Sequence, residues 1–132
     1  MELREFTTEE LKAVKLPKWF VKADTQERAE AIKAGRITDH AMLHRIARLE
    51  TEWQVTCAAV ERIATEKSDA SDIALADIAL HGRDVCARRC AAGSLHRQAL
   101  LYTLSMQTND AAVRMIATKK LSAETAAAHE KG

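Results

Sequence analysis

A seven-residue apolar repeat, Met42, Ile46, Leu49, Trp53, Thr56, Val60 and Ile63, constrains this chain more than any other feature. Its spacings alternate four and three without a slip, which lines the side chains along one stripe of a helix. The pattern predicts one helix of roughly 28 residues, opening at Thr38 and ending near Glu66 or Lys67. A stripe that long must be buried against other helices or against a second copy of itself. The expected fold class is therefore all-α: a single-domain helical bundle of about five to six helices with one long central helix. A homodimer through the heptad helix is one way to cover the stripe.

Composition agrees with that class. The 132 residues are 47% apolar, enough to build a core, and hold a single proline and four glycines to interrupt helices. The bundle is expected over residues 1–121, with 122–132 as a short, frayed tail. The longest apolar run, Ile73 to Leu80, is broken by Asp77 and falls short of a membrane span, so no membrane partner is expected. The opening Met-Glu-Leu-Arg-Glu lacks the basic-then-apolar order of a signal peptide, which predicts a cytoplasmic protein. Three cysteines, an odd number, fit reduced buried thiols better than a disulfide framework.

Local punctuation divides the chain. Thr7 and Glu10 have capping-box spacing and Phe6 and Leu11 that of a hydrophobic staple, so a short helix begins at Thr8 and stops before Pro17. Asp24 caps a helix through Ala34, which Gly35 ends in a left-handed turn. Asp69 or Ser71 starts a helix that Gly93 closes, Ser94 caps one reaching Gln107, and Asn109 or Thr108 caps one from Asp110 to Lys120. In the helix over Ile73 to Ala92, Leu75, Ala79, Gly82, Cys86 and Cys90 share one arc. Asp77, His81, Asp84 and Arg88 fall opposite, on a side expected to be wet, with Asp84 paired to Arg88. Gly82 in mid-helix implies a close backbone neighbour. Leu95, Ala99, Tyr102 and Met106, widened by Leu100, Leu101 and Leu104, form the apolar stripe of the next helix, a candidate for the bundle centre.

Constellations that carry chemistry are weak. His40 and His44 stand four apart, a spacing at which two imidazoles can grip one metal, yet a third ligand is missing and they read as solvated surface histidines. Cys86 and Cys90 could join His81 or Cys57 at a metal, but their place on the small-residue arc reads as buried core thiols. Asp77 with His81 is a spacing that any helical protein produces by chance as an acid/base pair. Glu9 with Glu10 and Glu50 with Glu52 lack the Glu-x-x-His partners of a di-iron bundle. The scattered glycines make no phosphate loop. No catalytic residue, metal site or cofactor is predicted, and a non-enzyme is expected.

Charge is uneven. Residues 1–69 hold 12 Lys/Arg against 13 Asp/Glu, whereas residues 70–121 hold Arg83, Arg88, Arg89, Arg97, Arg114, Lys119 and Lys120 against four acids. Five of those seven are arginines, whose planar fork suits phosphates, so this half is the candidate for contacting a nucleic-acid backbone. The near-neutral total, +1, argues against an obligate tight nucleic-acid binder. A helix-turn-helix over Asp110 to Lys120 and Ser122 onward fails because the second segment lacks side chains that read bases. Trp19 and Phe20, beside Pro17, either cap the bundle or anchor a partner protein. Trp53, at a heptad position, is expected in the core. In form alone, such a bundle is similar to small helical subunits of nucleoprotein complexes, including those of CRISPR effectors, and to phage-encoded inhibitors and small adaptors. The expected function is binding of a macromolecular partner, a protein first and nucleic acid second, with a metal-binding or catalytic bundle as the third class.

Overall fold

The computed structural model describes residues 3–131, with side chains described through residue 122. The described residues form nine helices and no strand: α1 (Thr8–Lys12), α2 (Lys18–Lys22), α3 (Thr25–Lys33), α4 (His40–Leu49), α5 (Trp53–Ala64), α6 (Asp69–His81), α7 (Val85–Ser94), α8 (Gln98–Gln107) and α9 (Ala111–Lys131). Three differences raise the number above six. The neck after Pro17 coils into α2, and each of the two long expected helices is broken once.

Locally marked boundaries form as the residues dictate. Thr7 and Glu10 make a reciprocal capping box at α1. The Asp24 carboxylate accepts from the Glu27 amide at 2.8 Å, and Gly35 takes φ 80. Ser68 and Ser71 cap α6 by the same reciprocal device, with Ser71 in the position usually held by Glu or Gln.

The long heptad helix is not present as one element. Glu50 and Glu52 take extended backbone angles, and α5 turns back to pack on α4. Ile46, Thr56, Val60 and Ile63 are buried as the repeat predicts, within this one chain. Trp53 is 57% exposed, contrary to its heptad position, because it is the first residue of α5 and lies at the outside of the bend.

The second break falls at Gly82, the C-cap of α6, with φ −54 and ψ 136, rather than in mid-helix. The crowding that its lack of a side chain implied is present, but its source is local. A Cβ there would lie 2.7 Å from the Ile78 carbonyl oxygen and 3.3 Å from Arg88 Cγ. Asp84 restarts the helix by accepting from the Ala87 amide at 3.0 Å, and it also accepts from the buried Thr56 hydroxyl at 2.9 Å. The expected Asp84–Arg88 pair is therefore replaced by a cap that ties α5 to α7. Likewise α7 runs past Gly93 to Ser94, and α8 starts at Gln98 behind Arg97, not behind Ser94.

Two helices share the centre of the bundle: α5 packs against α3, α4, α6 and α7, and α6 packs against α4, α5, α7 and α8 and buries every residue from Ala74 to Ala79. The candidate for that place, α8, buries Leu100, Leu101 and Leu104 and turns Tyr102 and Met106 outward at 62% and 69% exposed. Two short loops let α8 pack mainly on α6 and α9, so one side stays open. The helical backbone of α9 continues through Leu121 to Lys131; side chains of the expected tail beyond Ser122 lie outside the described residues. No helix among the described residues is long and apolar enough to cross a membrane.

Candidate functional site

One charged residue on α6 organises the most unusual part of the interior. Asp77, expected on a wet face, is 1% exposed because four helices pack against α6 and α4 covers this part of it. An ionised carboxylate in such a place needs strong partners. Two come from α4, one turn apart: His44 Nε2 lies 2.6 Å from Asp77 Oδ2, and Arg48 Nη1 donates to Oδ2 and Oδ1 at 3.1 and 3.4 Å. Arg48 Nε also donates to the His81 carbonyl at 3.1 Å, and Nη1 to the Phe6 carbonyl at 3.3 Å. The Arg83 amide donates back to the Arg48 carbonyl at 3.1 Å. The cluster thus pins α4, the C-terminus of α6 and the N-terminal segment together.

His44 is therefore a buried residue, 3% exposed, and not the solvated partner of His40. The two rings are 6.4 Å apart and turn to different acids, His40 meeting Glu66 at 3.0 Å. Asp77 meets His44, 33 residues away along the chain, and not His81. Sequence reasoning weighed His44 only with His40 and missed Arg48, since only the packing of α4 on α6 brings both to Asp77.

Next to His44, a cleft of about 360 Å³ opens between the N-terminal segment, α4 and α6. Phe6, Leu11, Val14, Ala41, Ala70 and Ile73 make its apolar walls, and Arg4, Glu10, His40 and His44 are its polar members. Phe6 packs edge-on against the His44 ring at 4.5 Å, and the Arg4 guanidinium lies 4.3 Å from the Phe6 ring centre. Chemically the cleft offers a histidine whose orientation a carboxylate holds. None of its lining residues carries a hydroxyl or a thiol that the histidine could activate as a nucleophile.

The cysteines lie elsewhere. Burial pushes the Cys57 thiol up to about 12, with the neighbouring Cys90 adding to the rise, and burial also raises Cys90. Both are therefore poor nucleophiles at neutral pH. Cys86, expected in the core, is exposed because α7 starts afresh after the bend and turns Ala87 and Ala91 inward in its place. Among the described residues, no group of three or more His, Cys, Asp or Glu converges where an ion could bind.

The basic residues of the C-terminal half do not form one free patch. Arg88 donates to Asp110 at 3.1 Å and to the Gly82 carbonyl at 2.9 Å, and Arg97 binds Asp72 and Asp69 at 2.9 and 2.5 Å. Arg114 donates to the Thr108 carbonyl at 2.6 Å, and Lys120 to the Gly93 carbonyl at 2.6 Å. Arg89 stands 3.8 Å from Asp110, while Arg83, Arg89 and Lys119 present their side chains to solvent. Burial opposes ionisation of Asp110, but the Val113 and Ala112 amides and the Arg88 guanidinium outweigh it and hold the carboxyl below its usual range. Of the aromatic pair, Phe20 is wholly buried. Trp19 is 39% exposed beneath the Arg36 guanidinium, 4.0 Å from its ring centre.

Comparison with known proteins returns no match: no family model, no curated protein and no solved structure resembles this chain significantly.

Proposed function

We propose that this chain is a non-enzymatic helical protein that works by binding a partner protein, and that α8 is the face it offers. The observation that carries this reading is the outward side of α8. The helix reads Gln-Ala-Leu-Leu-Tyr-Thr-Leu-Ser-Met-Gln, without a charge, in a chain that is 30% charged. Ala99, Tyr102 and Met106 stand at i, i+3 and i+7, so they form one exposed ridge. Cores of protein interfaces are depleted in charge and enriched in tyrosine and methionine. The matching partner is a protein with an uncharged apolar groove, since a charged groove would lose its hydration against this ridge without gaining an ion pair.

Affinity capture from the source organism, followed by reconstitution of the captured protein from purified components, tests the reading. The double variant Tyr102→Lys/Met106→Lys should lose the complex while keeping its melting temperature. Undiminished binding would remove α8 as the face. A dimer of this chain alone, abolished by the same variant, would replace the partner protein with a second copy.

A second reading, a subunit touching nucleic-acid backbone, draws support from the exposed Arg83, Arg89 and Lys119. It predicts salt-sensitive binding to random RNA or DNA that charge reversal of these three abolishes. Absence of binding at low salt would retire it. Trp19, half-exposed under Arg36, is a further position at which a partner protein can anchor.

A further inference from the structure

The cleft beside His44 lies away from α8 and has the properties of a separate small-molecule site. Its volume, about 360 Å³, falls in the lower part of the range of about 300 to 1,000 Å³ that small-molecule sites occupy. Its walls are apolar and include the Phe6 ring. Most of its polar members already have partners: Arg4 and Glu10 pair at 2.5 Å, and His40 Nδ1 meets Glu66 at 3.0 Å.

His44 differs. A carboxylate accepts only, so the nitrogen facing Asp77 carries the hydrogen, and in the neutral imidazole Nδ1 keeps a lone pair. Among the described residues no donor reaches Nδ1. No fully enclosed side-chain nitrogen or oxygen among those residues lacks a partner, so Nδ1 is not sealed off, and the cleft that His44 lines is the opening beside its ring. An acceptor on a side chain 3% exposed, hydrogen-bonded to Asp77 through its other nitrogen and bordering an apolar cleft, is poorly satisfied by its own protein.

The cleft also selects against charge. An anionic ligand would meet Glu10 and the nearby Asp77 with Arg4 already paired, and a cation would have to take Glu10 from Arg4. What fits is a neutral molecule with one donor and a flat apolar body. We propose that this cleft binds a single-ring phenol, its ring among Phe6, Leu11, Val14 and Ile73 and its hydroxyl donating to His44 Nδ1.

The probe is 4-methylphenol, compared with its methyl ether 4-methylanisole, followed by calorimetry and by nuclear magnetic resonance of the histidine ring nitrogens in the full chain. The phenol should bind one to one and shift the His44 ring nitrogens. The ether, nearly the same shape without the donor, should bind at least about tenfold more weakly, since an apolar group against a buried acceptor leaves it unmet. Because replacing His44 endangers the fold, a second arm fills the cleft instead: Ala70→Leu should weaken phenol binding with an unchanged melting temperature. Equal affinities for phenol and ether, shifts spread over residues away from His44, or no saturable binding at millimolar phenol would each overturn the proposal.

Discussion

Helices α6 and α8 pack against each other and yet handle polarity in opposite ways. The first hides a carboxylate, Asp77, while the second exposes Tyr102 and Met106. The difference follows from neighbours rather than from residue type. Four helices surround α6, so even a residue on its polar side is enclosed; α8 rests mainly on α6 and α9, so half of it faces water. Burial in this bundle is a property of position among helices, and an exception to the usual polar pattern then requires a partner. Asp77 finds His44 and Arg48 in the chain itself, and the α8 ridge is the surface for which a protein partner is proposed.

The largest expected effect breaks the α6 side of that comparison. Asp77→Ala leaves the buried Arg48 and His44 without their acid, and losing one member of a buried pair costs about 3–5 kcal/mol, measurable by urea denaturation. A loss below about 1 kcal/mol would show that water reaches this cluster freely.

Next comes the crowded end of α6. Gly82→Leu should destabilise by about 1–3 kcal/mol through overpacking against the Ile78 carbonyl. An unchanged melting temperature would mean that the bend relaxes at no cost.

Smaller still is the cap that joins α8 to α9. Asp110 accepts from the Ala112 and Val113 amides at 2.9 and 3.2 Å, so Asp110→Ala should cost about 1 kcal/mol at neutral pH. The folded carboxyl titrates below its unfolded value of 3.8, so its contribution is complete above that value and is lost as pH falls through the folded one. Wild type and variant should converge in acid, and a gap that stays constant down to pH 2 would contradict the lowered carboxyl.

The smallest effect sharpens the α8 side. Met106→Lys should change stability by no more than about 0.5 kcal/mol, as expected of an exposed position. A loss of 2 kcal/mol would show that this side chain is buried in solution, for example against a second copy.

How much of this was legible depends on how far apart the interacting residues are. The start of α1, the cap of α3 and the left-handed Gly35 were all readable, because each motif acts within four residues of chain. The two long helices misled for a related reason. Apolar periodicity continued through Glu50–Glu52 and Gly82 although the chain bends at both, and past Gly82 the new turn is tied down by the Thr56 hydroxyl, which reaches Asp84 from 28 residues away. At the site, His44 was visible as one of a pair with His40, and Asp77 as one of a pair with His81. Their true pairing spans 33 residues, and no local spacing encodes it.

By itself, then, the sequence determined that this protein is all-α and where its best-capped helices begin, because helix propensity and caps are satisfied by nearby backbone. Only the tertiary structure decided that α4 and α5 fold back on each other, that Asp77 lies inside with His44 and Arg48, and that the α8 ridge lies outside. Those outcomes depend on which surfaces other helices cover, and that cover comes from residues far away along the chain.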